Sequence, residues 1–445
     1  MSSSSYRMKM YATMISISVV MGLMSGCGST GTSGGGESTS QGAASAETEK
    51  GQTSESNSKA SGGEVTELTY WSLFTGDDGA TMDSIVQKFN DEHPDIHVTH
   101  MAMSATDDLY VKLPMVAGDN KQAPDIAVIW STYIPYFVEK GTIQPVTEIT
   151  EEYSNLDDSN FTSPELVYYK DKKYGTMLDF PSVTLWVNKD LVNKYDPEIL
   201  DDDIVTWDEA FSIGDKIKAA GDSDKVKVLA CDWDTNDIEL GMLEQGANYS
   251  TDGTTFILTE DDLKKAISNY KKLNDNDYFM PEGSDAFGMF AQGSAVFCSG
   301  GTWSLNTVKD YPFAWEELPP IQVSPDKVIT NAVAHTFVLP TQDYTDAEKK
   351  AIGTFESWFE DNAVLWAQAG SIVANKNVSE GDEFKKLPQY KASSLMTPEA
   401  PNYVYLSICE DTIHKYSWQP VYGEMSVDDW ATAVISDIKS KVAAQ

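Results

Sequence analysis

Basic residues are scarce in this chain of 445 residues, which has 32 Lys and Arg against 69 Asp and Glu and a formal net charge of -37 at pH 7. Proteins that bind nucleic acids neutralise phosphates with clustered Lys and Arg, so this charge argues against a DNA or RNA partner. The sequence also lacks a GxxxxGK phosphate loop.

One pair of histidines has the spacing of metal ligands. His93 and His97 are four residues apart, but Pro94 breaks the helix that would align them. We predict no nucleic-acid partner, no cofactor and no metal site.

Cysteine is also rare, with three residues after Cys27, namely Cys231, Cys298 and Cys409. In an exported protein these three could form one disulfide and leave one thiol free. Free cysteines are often simply buried, and we favour three thiols in the core. The sequence alone does not decide how they pair.

No apolar run reaches the roughly 20 residues that span a bilayer comfortably. The apolar segment from Met10 to Met24 is shorter, follows Arg7 and Lys9, and is followed by the small residues Ser25 and Gly26. A basic start, a short apolar stretch and small residues before a cleavage point are typical of a secretory signal. We predict that residues 1–26 form this signal.

The end of this segment, MSGC, resembles the lipobox of bacterial lipoproteins, whose cysteine is diacylated and becomes the first mature residue. The resemblance implies lipidation of Cys27 and a lipid anchor on the extracytoplasmic face of the cell membrane. Residues 28–64 consist mostly of Ser, Gly, Thr, Ala, Glu and Gln, so residues 27–64 are predicted to be a disordered tether. The alternative is an ordinary signal followed by a chance cysteine.

The remaining length suits about two domains, and the first begins with a clear α/β pattern. An apolar run from Leu68 to Phe74 has the length of a strand, and Met82, Ile85 and Phe89 recur at helical spacing. Pro94 ends this helix, and a second strand follows from Ile96. Such a βαβ unit binds small ligands at the carboxyl ends of its strands, which predicts a cleft there.

Seven segments then carry a specific resemblance. They read, in order, FNDEHPDIHV, APDIAVIW, EKGTIQPV, KYGTMLDFPSVTLWVNKDLV, TWDEAFSIGDKI, AFGMFAQGSAVFCSGGTWSL and FVLP. Their order and spacing resemble those of bacterial extracellular solute-binding proteins of family 1, the receptors of ABC importers for sugars. The resemblance covers the chain from Val65 to the C-terminus.

The resemblance implies an α/β fold of the two-lobed, periplasmic-binding-protein-like (type II) class, with interleaved lobes and a hinge. Its first lobe is expected to comprise residues 65–179 plus 334–362, and its second lobe residues 180–333 plus 363–445. The chain would cross between the lobes near Asp179, near Val333 to Phe337 and around Asp361.

A sugar receptor needs aromatic rings to cover pyranose faces and carboxylates or amides to bind hydroxyl groups. The resemblance and the loop positions together predict ten ligand-binding residues, which are Trp303, Trp130, Tyr133, Asp179, Trp233, Asp234, Trp71, Thr75, Tyr403 and Trp418. Trp303, in the GGTW segment, matches the stacking tryptophan of the family most closely, whereas Trp71 could simply pack within its strand.

The resemblance implies a monomeric, non-enzymatic receptor that captures a carbohydrate, here an oligosaccharide, and delivers it to the permease subunits of an ABC importer. Two alternatives remain open. The same fold could bind another solute such as a polyamine, because fold alone does not fix function. A secreted glycoside hydrolase would need two carboxylates about 5–10 Å apart across a sugar, which the resemblance does not place.

Overall fold

The structure is a computed structural model that describes residues 65–104, 108–120, 122–232 and 234–445. The predicted signal, Cys27 and the predicted tether therefore lie outside the described residues. Within this part of the chain, no helix combines the length and apolarity needed to cross a bilayer.

The described chain alternates between strands and helices. The strands are β1 (Thr66–Ser72), β2 (Ile96–Ala102), β3 (Ile126–Trp130), β4 (Ile143–Gln144), β5 (Tyr168–Tyr169), β6 (Lys172–Lys173), β7 (Gly175–Phe180), β8 (Val183–Asn188), β9 (Lys227–Cys231), β10 (Ala295–Gly301), β11 (Trp315–Leu318), β12 (Ile329–Asn331), β13 (His335–Pro340), β14 (Ile372–Val373) and β15 (Thr397–Glu399). The α-helices are α1 (Gly76–Glu92), α2 (Tyr110–Val116), α3 (Ile134–Glu139), α4 (Thr147–Glu152), α5 (Lys189–Tyr195), α6 (Trp207–Ala219), α7 (Asp234–Glu244), α8 (Glu260–Ala266), α9 (Ser268–Asp275), α10 (Ala286–Ala291), α11 (Leu305–Val308), α12 (Asp346–Asp361), α13 (Val364–Ala367), α14 (Lys376–Ser379), α15 (Tyr390–Leu395), α16 (Leu406–Tyr416), α17 (Gln419–Tyr422) and α18 (Val427–Val442).

The larger sheet has the strand order β14-β7-β13-β3-β1-β2, with β4 paired to β13. Strand β1 runs parallel to β2 and β3, so the predicted βαβ unit forms as expected. Strand β13 enters antiparallel between β3 and β7. Apolar clusters cover both faces of this sheet, one around Phe89 and Phe355 and the other around Phe137. We call this sheet and its helices the first lobe.

The second lobe is built on a four-stranded sheet of order β11-β8-β10-β9. Its two central strands, β8 and β10, are buried along their whole length, and one large apolar cluster around Trp186, Phe297 and Trp430 forms the core. Cys231, Cys298 and Cys409 are all buried in this cluster as free thiols, which confirms the prediction of core cysteines.

Three helices of the two lobes begin with the same side-chain cap. In each, a threonine hydroxyl accepts a hydrogen bond from the backbone N–H three residues on, and the acidic side chain there accepts one from the threonine N–H. The pairs are Thr206 with Glu209, Thr259 with Asp262, and Thr345 with Glu348. Such caps typically contribute about 1 kcal/mol each and fix where the helix begins.

The chain passes between the lobes three times. It leaves β7 through Pro181 and Ser182, and it returns from β12 to β13 through residues 332–334. The first two passages are linked, because Ser182 and Ala332 form an isolated antiparallel bridge.

The third passage differs from the expected one around Asp361. Strand β14 pairs with β7, and Trp366 and Phe384 belong to the core of the first lobe. The chain enters the second-lobe core only at Tyr403, so the passage runs through β15, which pairs with β12. The helical stretch after Asp361 stays on the first lobe because its apolar side chains cover the sheet edge beside β7.

Glu317 is an acid enclosed in the second lobe. Thr184 donates a hydrogen bond of 2.9 Å to one carboxyl oxygen, and the other oxygen is buried without a partner among the described residues. Burial raises the pKa of Glu317 to about 8. The folded chain therefore holds this proton at pH values where the unfolded chain has lost it, so stability falls as the pH rises from about 4.5 towards 8.

Replacing this carboxyl with an amide is expected to remove that pH dependence. Between pH 5.5 and 7.5 the free energy of unfolding of Glu317→Gln should fall by about 2–3 kcal/mol less than that of the unaltered chain. Urea unfolding followed by circular dichroism measures this difference. The exposed Glu282→Gln serves as the control, and an equal pH slope in both variants would contradict the account of Glu317.

Candidate functional site

A cavity of about 210 Å³ lies between the two lobes, beside the passages that connect them. The first lobe, the second lobe and the crossing segments all contribute to its walls. The lining residues are Leu73, Phe74, Thr75, Asp78, Trp130, Pro181, Val183, Asn236, Glu239, Trp303, Asn331, Ala332, Val333, His335 and Glu410.

Two tryptophans line this cavity from opposite lobes. Trp130 ends β3, and its backbone N–H donates to the Tyr110 hydroxyl at 2.8 Å while the two rings meet edge to face. Trp303 follows β10 in a short helical turn, and its ring lies directly over Gly301, where a methyl group would overlap it. The Trp303 ring therefore occupies space that only a glycine at 301 leaves free.

His335 lines the cavity from β13 and is held from behind by Asp179. Its Nδ1 lies 2.7 Å from Asp179 Oδ1, and Trp366 Nε1 donates to Asp179 Oδ2 at 2.6 Å. The ring of Phe74 meets His335 edge to face with centroids 4.9 Å apart. With Nδ1 taken by the carboxylate, the other ring nitrogen is left for the cavity.

The second lobe contributes Glu239 from α7, which is buried. Tyr249 donates to one carboxyl oxygen at 2.7 Å, and the amide nitrogen of Asn331 donates to the other at 3.1 Å. The same amide nitrogen faces the backbone and side-chain oxygens of Asn236 at 3.4 and 3.3 Å. All the neighbours of this nitrogen are acceptors, and Asn331 Oδ1 is left buried without a partner among the described residues.

Glu410 connects the lobes across the cavity. It lies on α16 of the second lobe, and the hydroxyl of Tyr133, from the first lobe, donates to Glu410 Oε2 at 3.3 Å. This contact closes one side of the cavity. At 3.3 Å this hydrogen bond is long, so replacing it with a hydrogen bond to a ligand would cost little.

Burial raises the pKa of each carboxyl group in the lining. The pKa of Asp78 rises to about 6, although nearby His335 opposes the rise. The pKa of Glu239 rises to about 7. The pKa of Glu410 is raised by burial and then by the charge of Glu239. Burial in the cavity wall therefore favours the protonated form of all three carboxyl groups.

The ten residues predicted as ligand contacts fall into different places. Trp303, Trp130 and Thr75 line the cavity, and Tyr133 reaches its edge through Glu410. Asp179 is fully buried one layer behind the cavity, with His335 in front of it.

The other predicted contacts that the structure describes, namely Trp71, Asp234, Tyr403 and Trp418, do not line the cavity. Trp71 packs on a first-lobe apolar cluster, while Tyr403 and Trp418 are buried in the second-lobe core, where Trp418 packs against Tyr270. Asp234 is engaged by the Ser417 hydroxyl. Trp233 lies outside the described residues.

The sequence interpretation missed six polar or charged lining residues, which are Asp78, Asn236, Glu239, Asn331, His335 and Glu410. Two of them had a usable signal, because Asn331 and His335 flank the passage expected near Val333. Glu239 and Glu410 had no such sequence signal, since an acidic residue on a helix is usually exposed to solvent. Only tertiary packing places these two side chains at the cavity.

A comparison with models of protein families shows which family the chain belongs to. Residues 84–392 match the family described as "Bacterial extracellular solute-binding protein". The chain is a bacterial extracellular solute-binding protein. This result confirms the family that the ordered segments predicted.

Relatives of this solute-binding protein are distant. It is 25% identical over 266 residues to the sn-glycerol-3-phosphate-binding periplasmic protein UgpB of Shigella dysenteriae, a match that covers 56% of this chain and 59% of that protein. The chain thus spans about three-fifths of the length of the curated relative it matches.

Solved structures confirm the two-lobed fold. An ABC substrate-binding protein of Listeria monocytogenes in complex with cycloalternan superposes with a TM-score of 0.71 at 18% identity, covering 85% of this chain and all of that one. The sugar-binding protein MalE of Xanthomonas citri gives 0.71 at 16% identity and covers 85% and 98% of the two chains. At these identities the similarity establishes the fold alone.

Proposed function

We propose that this solute-binding protein captures a carbohydrate between its two lobes and delivers it to the permease subunits of an ABC importer. The observation that carries the proposal is the cavity between the lobes, where Trp130 and Trp303 enter from opposite sides among carboxyl and amide groups. Flat aromatic faces and side-chain acceptors are the groups that bind sugar rings and their hydroxyls.

The charge of the cavity disfavours a phosphate ligand, although the curated relative binds sn-glycerol 3-phosphate. None of the described residues that line the cavity is Lys or Arg, and the whole chain has a single arginine, Arg7. Phosphate recognition ordinarily uses such cations, and three carboxyl groups in the lining would repel the phosphate instead. A neutral or positively charged solute fits this lining.

Lobe closure would enclose the ligand. The Tyr133–Glu410 hydrogen bond joins the lobes at the cavity, and the three passages provide a hinge. Contacts with both lobes would favour the closed form. A volume of about 210 Å³ is below the roughly 300–1,000 Å³ of pockets for drug-sized ligands, so a longer oligosaccharide would extend out of the cleft.

Isothermal titration calorimetry against a panel of oligosaccharides, spermidine and sn-glycerol 3-phosphate tests this proposal, with tryptophan fluorescence followed in parallel. We expect one carbohydrate class to bind with 1:1 stoichiometry. Binding of sn-glycerol 3-phosphate without binding of any carbohydrate would contradict the proposal. Binding of spermidine alone would keep the receptor role but change the ligand class.

The receptor role requires that the ligand be released chemically intact. We therefore expect the bound carbohydrate to be recovered unchanged after prolonged incubation with the protein. Chromatography of the incubated ligand measures this, and the appearance of shorter sugars would support the glycoside hydrolase alternative instead.

A lipid anchor at Cys27 forms part of the proposal, and the protein is expected to act as a monomer. The lipobox-like MSGC and the polar tether after it support the anchor. Changing Cys27 to Ser should move the protein from the membrane fraction to the soluble fraction of bacterial cells. If the unaltered chain and Cys27→Ser are found in the same fraction, the result would contradict a lipid anchor at Cys27.

A further inference from the structure

The polar groups that line the cavity are mostly acceptors. Asp78, Glu239 and Glu410 contribute carboxyl groups, and among the described lining residues only His335 could carry a positive charge. That histidine is already engaged by Asp179. Enclosing several carboxylates without a positive partner is unfavourable, and a positively charged ligand would balance their charge.

Within the described part of the chain, no Lys or Arg is among the groups that face these carboxyl groups. Asp78 is faced by His335, Asp179 and Asp77, while Glu239 is faced by Tyr249 and Asn331. Glu410 is faced by Glu239, Tyr133 and Asp411. Burial raises the pKa of these three carboxyl groups, and the acidic neighbours of Asp78 and Glu410 raise it further.

A second observation concerns Asn331, which is 4% exposed. Its amide nitrogen is used by Glu239 and Asn236, and its oxygen is buried without a hydrogen-bond donor among the described residues, although the residue itself lines the cavity. A buried acceptor without a donor is unfavourable, so a ligand that supplies one would gain affinity. The site thus lacks a donor as well as a positive charge.

We propose that the cleft takes a solute that carries a protonated amine, such as an amino sugar, whose ammonium group binds among Glu239, Glu410 and Asn331. This inference rests on the proposed function of ligand capture between the lobes. An ammonium group brings three donors and one positive charge, which match the acceptors of the wall. Trp130 and Trp303 suit the rest of a sugar ring and also attract cations.

Amino sugars and polyamines share this chemistry, and matched ligands separate them. The full chain is titrated by calorimetry at pH 7 with glucosamine and glucose, galactosamine and galactose, mannosamine and mannose, and spermidine. Each titration is run in phosphate and in Tris, because their different ionisation enthalpies reveal proton release. We expect one hexosamine to bind at least about tenfold tighter than its hexose and to release protons.

The variant Glu410→Gln should lower the affinity for the hexosamine by about tenfold or more and reduce the proton release, while changing the affinity for the hexose less. Glu317→Gln is the matched control, because burial also raises the pKa of Glu317 but this acid does not line the cavity, and its affinities should equal those of the unaltered chain. An equal loss in both variants would overturn the inference.

The outcomes also separate this inference from the proposed function. If hexoses bind as tightly as their hexosamines, the cleft does not recognise a protonated amine, but the proposed function as a carbohydrate receptor is still supported. If spermidine binds and no hexosamine does, the result would support recognition of a protonated amine but contradict a sugar as the ligand. Failure of every amine to bind would overturn the inference, and the neutral hexoses and oligosaccharides would then decide the proposed function.

Discussion

Asp179→Ala is expected to destabilise the protein strongly. The substitution leaves Trp366 Nε1 and His335 Nδ1, which now donate to this carboxylate at 2.6 and 2.7 Å, without their buried acceptor. Each unpaired buried donor costs about 1–3 kcal/mol, so the free energy of unfolding should fall by roughly 2–6 kcal/mol. Urea unfolding followed by circular dichroism measures this change.

Asp361→Ala is the matched control, because Asp361 is an exposed acid at the end of α12. Its stability should stay within about 0.5 kcal/mol of the unaltered chain. Ligand binding should also weaken in any Asp179→Ala protein that folds, since His335 loses the group that orients it. A stability loss below about 1 kcal/mol would show that the Asp179 hydrogen bonds do not support the cavity wall.

Trp303→Ala is expected to have the largest effect on ligand binding. The ring enters the cavity from the second lobe and would cover one face of the ligand. Loss of such an aromatic anchor typically costs about 2–4 kcal/mol of binding free energy, which corresponds to a roughly 30- to 1,000-fold weaker affinity. Calorimetry with the ligand found in the panel measures this change.

Gly301→Ala tests the same geometry without removing the ring. A methyl group there would overlap the Trp303 side chain and displace it, so binding should weaken although the tryptophan is still present. Trp358→Phe is the control, because Trp358 lies on α12 and donates to Glu92 far from the cavity lining. Unaltered affinity in both Trp303→Ala and Gly301→Ala would place the ligand elsewhere.

Local patterns in the sequence predict the opening βαβ unit. The apolar run from Leu68 to Phe74 and the helical spacing of Met82, Ile85 and Phe89 need no tertiary information to be interpreted. The two-lobed architecture and the place of Trp303 were instead implied by the resemblance of the ordered segments, and the structure adds that Gly301 leaves room for the Trp303 ring.

The remainder depends on tertiary packing. Asp179 was expected in the cavity, but its strand places it one layer deeper, where His335 from β13 covers it. Tyr403 and Trp418 lie in aromatic loops that turned out to fill the second-lobe core. No local pattern distinguishes such a buried aromatic residue from one that faces a ligand.

The central claim is that the ligand binds between the lobes, and a crystal structure of the protein with the tightest ligand of the panel tests it most directly. We predict that the ligand lies between Trp130 of the first lobe and Trp303 of the second, with hydrogen bonds to Glu239 or Glu410 and to Asn331. A ligand bound outside this cavity, or in contact with one lobe only in a closed molecule, would contradict the claim.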